Sequence, residues 1–355
     1  MKTGIKNIFV IVAIGIITII ACGPQKPVTK LSRIKKLKHL KKFYHIKNFK
    51  LGGIYDIGNE SSYEFGGKGG VTLESINSTS LRVAYIAVGT PKRNKKGEII
   101  NAVLFLSHWI ADATYSYKMW YDGQPGNKFT EGAVVGPGKL IDTNKNYVVF
   151  LDAIGLWGAS KPSDGLGMKF PKYSPLDIAQ ANYRLVRDHL KIAKVKLITG
   201  LSMGGNLAFV WGFLHPHYME ALMPMGADLS INSHTGWLFQ LSNAAMKSDP
   251  IWRKTKGDYY HLPKSKHPLK GIVFGWSILR FSAYDLSFRM KQRWKGVQPE
   301  VFYWNPKGDQ SKFLIPEAKR MDINDLIYRY DTFLSAAPLK LEQYYSLIKS
   351  KVIML

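Results

Sequence analysis

The sequence predicts an α/β fold with a mostly parallel sheet, helices on both faces, and a helical cap inserted after the sixth strand. Three observations carry that expectation. First, short apolar runs alternate with stretches of helical spacing. The runs are "LRVAYIAVG" (Leu81 to Gly89), "INAVLFLS" (Ile100 to Ser107), "NYVVFLDA" (Asn146 to Ala153), "VKLITG" (Val195 to Gly200) and "ALMPMGA" (Ala221 to Ala227). Runs apolar on both faces, rather than alternating, suit strands buried between helical layers. Second, "LITGLSMGGNLAFVWG" (Leu197 to Gly212) passes from a strand pattern to a helical one through a Gly-x-Ser-x-Gly-Gly turn. Third, from about Ser230 to Tyr330 the pattern becomes helical and aromatic-rich, as in "WLFQLSNAAMK" and "IVFGWSILRFSAYDLSFRM".

Taken from the N-terminus, Lys2 and Lys6 precede an apolar run from Ile8 to Ile20 that closes on Ile-Ile-Ala-Cys-Gly. The run is short for a spanning helix and ends in small residues, which predicts a signal peptide over 1–21. Its ending resembles a bacterial lipobox. Cys22, the only cysteine of the 355 residues, has no partner for an intramolecular disulfide and is expected to carry a lipid anchor. That places the chain in a bacterial cell envelope, facing the periplasm or exterior. Ten cations lie between Lys26 and Lys50, within a net charge of +25. Residues 22–65 are therefore expected to be a basic tether, read equally as lying on anionic headgroups or as solvated. Cations elsewhere are dispersed, and no aromatic-interleaved basic module argues for nucleic acid. "GGKGG" (Gly66 to Gly70) reads as a turn cluster, because no strand precedes it and no Lys-Ser/Thr ends it. A hydrolytic-type core is expected over 66–229, the helical cap over 230–335, and the start of an incomplete C-terminal core over 336–355.

At the strand-to-helix junction, Gly200 and Gly204 lack the Cβ that would keep strand and helix apart. Such a turn exposes the intervening Ser202 and makes it a candidate nucleophile. The Met203 N–H and the start of the following helix then face any oxyanion formed there.

The stretch from about Asn101 to Ala227 resembles the α/β-hydrolase superfamily, most closely its homoserine O-acetyltransferase-like group. The segments carrying the likeness are "NAVLFLSHWIADA", "VVGPGKLIDTNKNYVVFLDAIG", "FPKYSPLDIAQANYRLVRDHLKI" and "GLSMGGNLAFVWGFLHPHYMEALMPMGA". The resemblance implies that Ser202 accepts the acyl group. It also implies that the oxyanion hole is built from the N–H of Met203 and that of Ile110, beside Trp109. His108 in the same loop is expected to be structural rather than loop-shaping for catalysis. His215 and His217, flanking Pro216, read as a surface turn rather than a metal pair. No cofactor is expected.

A serine nucleophile needs a base and an acid to orient it. The family order of Ser, Asp, His puts the last two beyond the final strands, and "YSLIKSKVIML" reads as the approach to the seventh strand. The expectation is a truncated or frameshifted product without its Asp and His loops. Asp228 is a candidate substitute acid. His234, His261 and His267 lie in the helical region with no readable place in the site. Arg280, Arg289 and Arg329 are available to hold a substrate carboxylate, but any one of so many cations reads first as a solvated surface charge. The expected activity is acyl hydrolysis of a small ester. Homoserine O-acetyl transfer and an inactive lipoprotein are the alternatives.

Overall fold

The computed structural model describes residues 40–57, 60–64, 69–121, 134–230, 234–282, 314–336 and 340–354. The central sheet has seven strands: β1 (Lys42–Ile46), β2 (Leu81–Gly89), β3 (Ala102–Leu106), β4 (Tyr147–Leu151), β5 (Val195–Leu201), β6 (Met219–Met225) and β7 (Lys351–Val352). Their order across the sheet is β1-β2-β4-β3-β5-β6-β7. β2 runs antiparallel to both β1 and β4, and the remaining neighbours are parallel. All five residues of β3 are buried, as expected of a strand covered on both faces. The chain thus has the α/β-hydrolase fold.

One boundary expected from the sequence is corrected. The basic segment expected to be a tether as far as residue 65 contributes β1, paired with β2 from Lys42 opposite Tyr85 to Ile46 opposite Leu81. Only Ile46 of that strand is buried, so its placement comes from backbone pairing at a sheet edge rather than from an apolar pattern.

Helices cover the sheet. α1 (Ala113–Trp120) starts at Asp112, whose carboxylate accepts the Tyr115 N–H at 2.7 Å. α2 (Pro175–Arg184) opens with Pro175 in its first turn and a reciprocal capping box between Ser174 and Asp177. It continues as one π-helical stretch over Leu185–His189. α3 (Met203–Leu214) follows Ser202 directly and is nearly all buried. Between β6 and β7 the described α-helices are α4 (His234–Lys247), α5 (Pro250–Thr255), α6 (Leu269–Ser282), α7 (Leu314–Ala318) and α8 (Ile323–Ala336). α8 buries eleven of its fourteen residues, and Ile323, Leu326, Ile327, Tyr330 and Phe333 recur at helical spacing in the core. Among the described residues no helix is long and apolar enough to cross a membrane. Cys22 and the apolar run before it lie outside them.

Candidate active site

The site sits where β5 turns into α3. Ser202 is exposed and holds φ 54° and ψ −118°, a backbone conformation that side-chain-bearing residues rarely adopt. Its N–H donates to the carbonyl of Met225 at the end of β6 at 2.8 Å. Its own carbonyl accepts from Gly205 at 2.8 Å and Asn206 at 3.0 Å, which starts α3. The glycines explain how the turn closes. A Cβ on Gly200 would stand 2.6 Å from the Gly204 backbone, and one on Gly204 would stand 2.4 Å from the Leu106 carbonyl oxygen. The elbow is therefore pressed against the end of β3 and the loop that leaves it.

That loop, Ser107 to Asp112, is fixed at both ends. Ser107 Oγ donates to the Leu151 carbonyl at 2.6 Å, and the Ala113 N–H donates to the buried Asp152 carboxylate. Lys41, just before β1, pairs with Asp112 and stands 3.6 Å from Asp152. Burial raises the Asp152 carboxyl from its ordinary 3.8 to about 7, with Lys41 pulling down and Asp112 pushing up. Within the loop, Ile110 is half-buried, and among the described residues neither its N–H nor that of Met203 has a hydrogen-bond partner. Two unpaired backbone donors on segments in contact are the raw material of an oxyanion site. His108 packs edge-on against Tyr115, and burial followed by the charge of Arg329 lowers its pKa to about 4. It is neutral at pH 7.

The other expected residues do not converge on Ser202. Asp228 is exposed beyond β6; its carboxylate accepts from the Tyr345 hydroxyl at 3.1 Å and the Ser230 N–H at 3.0 Å, while its carbonyl accepts from Asn206. His234 is exposed at the first residue of α4, and His261 is exposed in the segment after α5. His267 contacts the Leu262 carbonyl at 3.1 Å and the Tyr259 ring. His215 stacks on Tyr183 with centroids 3.8 Å apart and is lowered by burial to about 4, while His217 is exposed. Among the described residues no side chain hydrogen-bonds the Ser202 hydroxyl, and no histidine hydrogen-bonds Asp228. No three metal-ligating side chains cluster there either. Arg280 lies on α6, and Arg289 lies outside the described residues.

Arg329 corrects an expectation. Instead of a solvated surface charge it is buried on α8, donating to the Trp109 carbonyl and, at 2.7 Å, to the Gly155 carbonyl. Sequence alone had no signal for this, because both acceptors are backbone atoms more than a hundred residues away.

No protein-family model matches the chain. In sequence it is 29% identical over 208 residues to a homoserine O-acetyltransferase of Methanosalsum zhilinae, covering 56% of this chain and 40% of that protein. It is 30% identical over 210 residues to one of Carboxydothermus hydrogenoformans, covering 56% and 52%. A third, of Chlorobaculum parvum, is 26% identical over 268 residues, covering 69% and 68%. The chain thus spans from about two fifths to about two thirds of the length of these curated relatives. Among solved structures, a homoserine O-acetyltransferase from Bacillus anthracis superposes with a TM-score of 0.62 at 21% identity, covering 88% of this chain and 82% of that one. The acetyl esterase MekB superposes with a TM-score of 0.63 at 16% identity, covering 89% and 81%. The strand order, the elbow and these likenesses agree that this chain has the α/β-hydrolase fold and is related in sequence to homoserine O-acetyltransferases.

Proposed function

We propose that this chain is a serine-dependent acyl hydrolase acting on small esters through an acyl-enzyme at Ser202. The backbone of Ser202, held at φ 54° and ψ −118° with its side chain exposed, is the observation that carries the reading. The Ser202 oxygen attacks the ester carbonyl carbon and gives its proton to hydroxide or water from solvent, since among the described residues no side chain hydrogen-bonds its hydroxyl. The carbonyl oxygen becomes an oxyanion facing the N–H groups of Met203 and Ile110, each such donor being worth about 2.7–4 kcal/mol in the transition state. Collapse expels the alkoxide, which takes up a proton, and water then attacks the acyl-enzyme to free the acid and regenerate the serine. Hydrolysis is favoured over transfer because Ser202 is open to water, whereas transfer requires water to be kept from the acyl-enzyme.

A fluorophosphonate probe tests this directly. It should label the chain, and Ser202→Ala should remove the label; labelling that survives the substitution overturns the reading. With no base hydrogen-bonded to the hydroxyl among the described residues, labelling should be slow and should climb steadily with pH. A plateau with a midpoint near the ordinary histidine value of about 6.5 would instead identify a histidine base.

Sequence similarity to homoserine O-acetyltransferases favours a second reading, acyl transfer to an alcohol. Acetyl-CoA and homoserine offered together separate the two: O-acetylhomoserine formed in step with free CoA supports transfer, and CoA or acid released without it supports hydrolysis. We further propose that Cys22 carries a lipid that tethers the chain to a bacterial membrane in the cell envelope. Fatty-acid labelling lost in Cys22→Ser supports this, and labelling retained overturns it.

A further inference from the structure

We propose that Arg329 is a positioning residue that fixes the Trp109–Ile110 peptide so that the Ile110 N–H faces the acyl oxygen at Ser202. The proposal rests on the acyl-enzyme reading above. Arg329 is 4% exposed, and one terminal nitrogen donates to the Trp109 carbonyl while the other donates to the Gly155 carbonyl at 2.7 Å. Its guanidinium carbon also stands 5.8 Å from the Trp109 ring centre. Among the described residues no carboxylate lies within ion-pair distance of it. Asp325, one turn earlier on α8, supports the charge from beyond ion-pair distance, but the guanidinium places its hydrogen bonds on two backbone carbonyls, a costly way to fill buried space that needs a reason beyond packing.

The geometry of the peptide unit supplies one. There are no cis peptide bonds among the described residues, so the Trp109 carbonyl and the Ile110 N–H lie in one rigid plane and point in opposite directions. Whatever holds the oxygen therefore aims the N–H. The rest of the loop is held by other contacts: Ser107 on Leu151, Ala111 N–H on the His108 carbonyl at 3.1 Å, and Ala113 on Asp152. The Trp109 ring is packed on Phe239, Tyr330 and Phe333, and the hydrogen bond to its carbonyl comes from Arg329. A planar fork reaching two carbonyls at once suits arginine, and a lysine ammonium cannot reproduce it. Gly204 backs directly onto the carbonyls of Leu106 and Ser107, so the loop aimed in this way lies against the elbow.

The test compares the chain with Arg329→Met, Arg329→Lys and Arg329→Gly by two readouts. Amide exchange reads position without reference to reactivity. Over residues 107–113 it should be about 10- to 100-fold faster in Arg329→Met, while β5 and α3 keep their protection. Fluorophosphonate labelling of Ser202 should slow about 100-fold with little change in the probe concentration at half-saturation, and added guanidinium should restore much of the rate in Arg329→Gly. If Arg329→Met does not fold, Arg329→Lys, which keeps the charge without the fork, must still show the slowed labelling. Folded variants that label at the original rate overturn the proposal. If the chain with Arg329 intact is not labelled at all, the acyl-enzyme reading falls and exchange alone decides the clamp. Faster exchange confined to 107–113 then upholds it, and unchanged exchange overturns it.

Discussion

Ser202 adopts a conformation that costs on the order of 1–3 kcal/mol for a residue with a side chain, and its glycine neighbours let the surrounding backbone impose it. Gly204 is the tighter of the two. Its missing Cβ would lie 2.4 Å from the Leu106 carbonyl oxygen, a backbone atom at the end of the central strand β3 with little room to move aside. Gly204→Ala should therefore destabilise the fold by about 1–3 kcal/mol in chemical denaturation and slow Ser202 labelling, since the elbow must back away from β3. An alanine variant of unchanged stability and labelling would show that the contact is not binding on the turn. This part of the site was legible in the sequence because it is local: glycine, serine and glycine at fixed spacing between a strand and a helix specify the turn. Arg329 was not legible for the opposite reason. Nothing near it in sequence distinguishes a guanidinium that will bind two distant carbonyls from the many that stay in water.

At the scale of elements, the loop from β3 to α1 is tied to the sheet through Asp152, which is wholly buried at the end of β4. Its carboxyl is raised to about 7, chiefly by burial, so the folded chain binds a proton there that the unfolded chain has already lost above pH 3.8. The contribution of Asp152 to stability is thus greatest at low pH and declines as pH rises from about 4 through about 7. At roughly 1.4 kcal/mol per unit, the decline is on the order of a few kcal/mol. Asp325, raised to about 7 by burial and by Asp322, acts in the same direction. His108 and His215, both lowered to about 4 by burial, act in the opposite one: they lose stability as pH falls from about 6.5 towards 4. The total curve therefore mixes opposing trends, but the difference between the chain and Asp152→Asn isolates one of them. Denaturant titrations from pH 4 to 8 should show the Asn variant gaining on the original chain as pH rises, and parallel curves would disprove the assignment. Legibility at this scale follows packing. β3 and β4 were readable because both their faces are buried, whereas β1, with one buried residue among five, was hidden inside a lysine-rich run.

The whole molecule carries a net charge of +25, and its densest cations fall between Lys26 and Lys50, directly after Cys22. The structure limits what that segment can do at a surface. Lys41 is occupied with Asp112 and Asp152 and Lys42 is fixed at the sheet edge in β1, so neither is free to move with the segment before it while the sheet is intact. The cations left for headgroups are mainly those from Lys26 to Lys38, each contributing roughly 1 kcal/mol close to an anionic surface. A single acyl chain gives only marginal membrane binding by itself, and a neighbouring basic cluster is the usual second signal. If the chain is tethered at Cys22, the unlipidated Cys22→Ser protein should still sediment with vesicles rich in anionic lipid at low salt. It should release as ionic strength rises, because the Debye length shrinks from about 10 Å at 0.1 M to about 3 Å at 1 M. Replacing Lys35, Lys36 and Lys38 with glutamine should weaken that binding without altering denaturant stability, while replacing Lys41 should lower stability through loss of its contacts with Asp112 and Asp152. Equal effects of the two substitutions on vesicle binding would show that the basic run acts as one solvated patch and that β1 does not divide it.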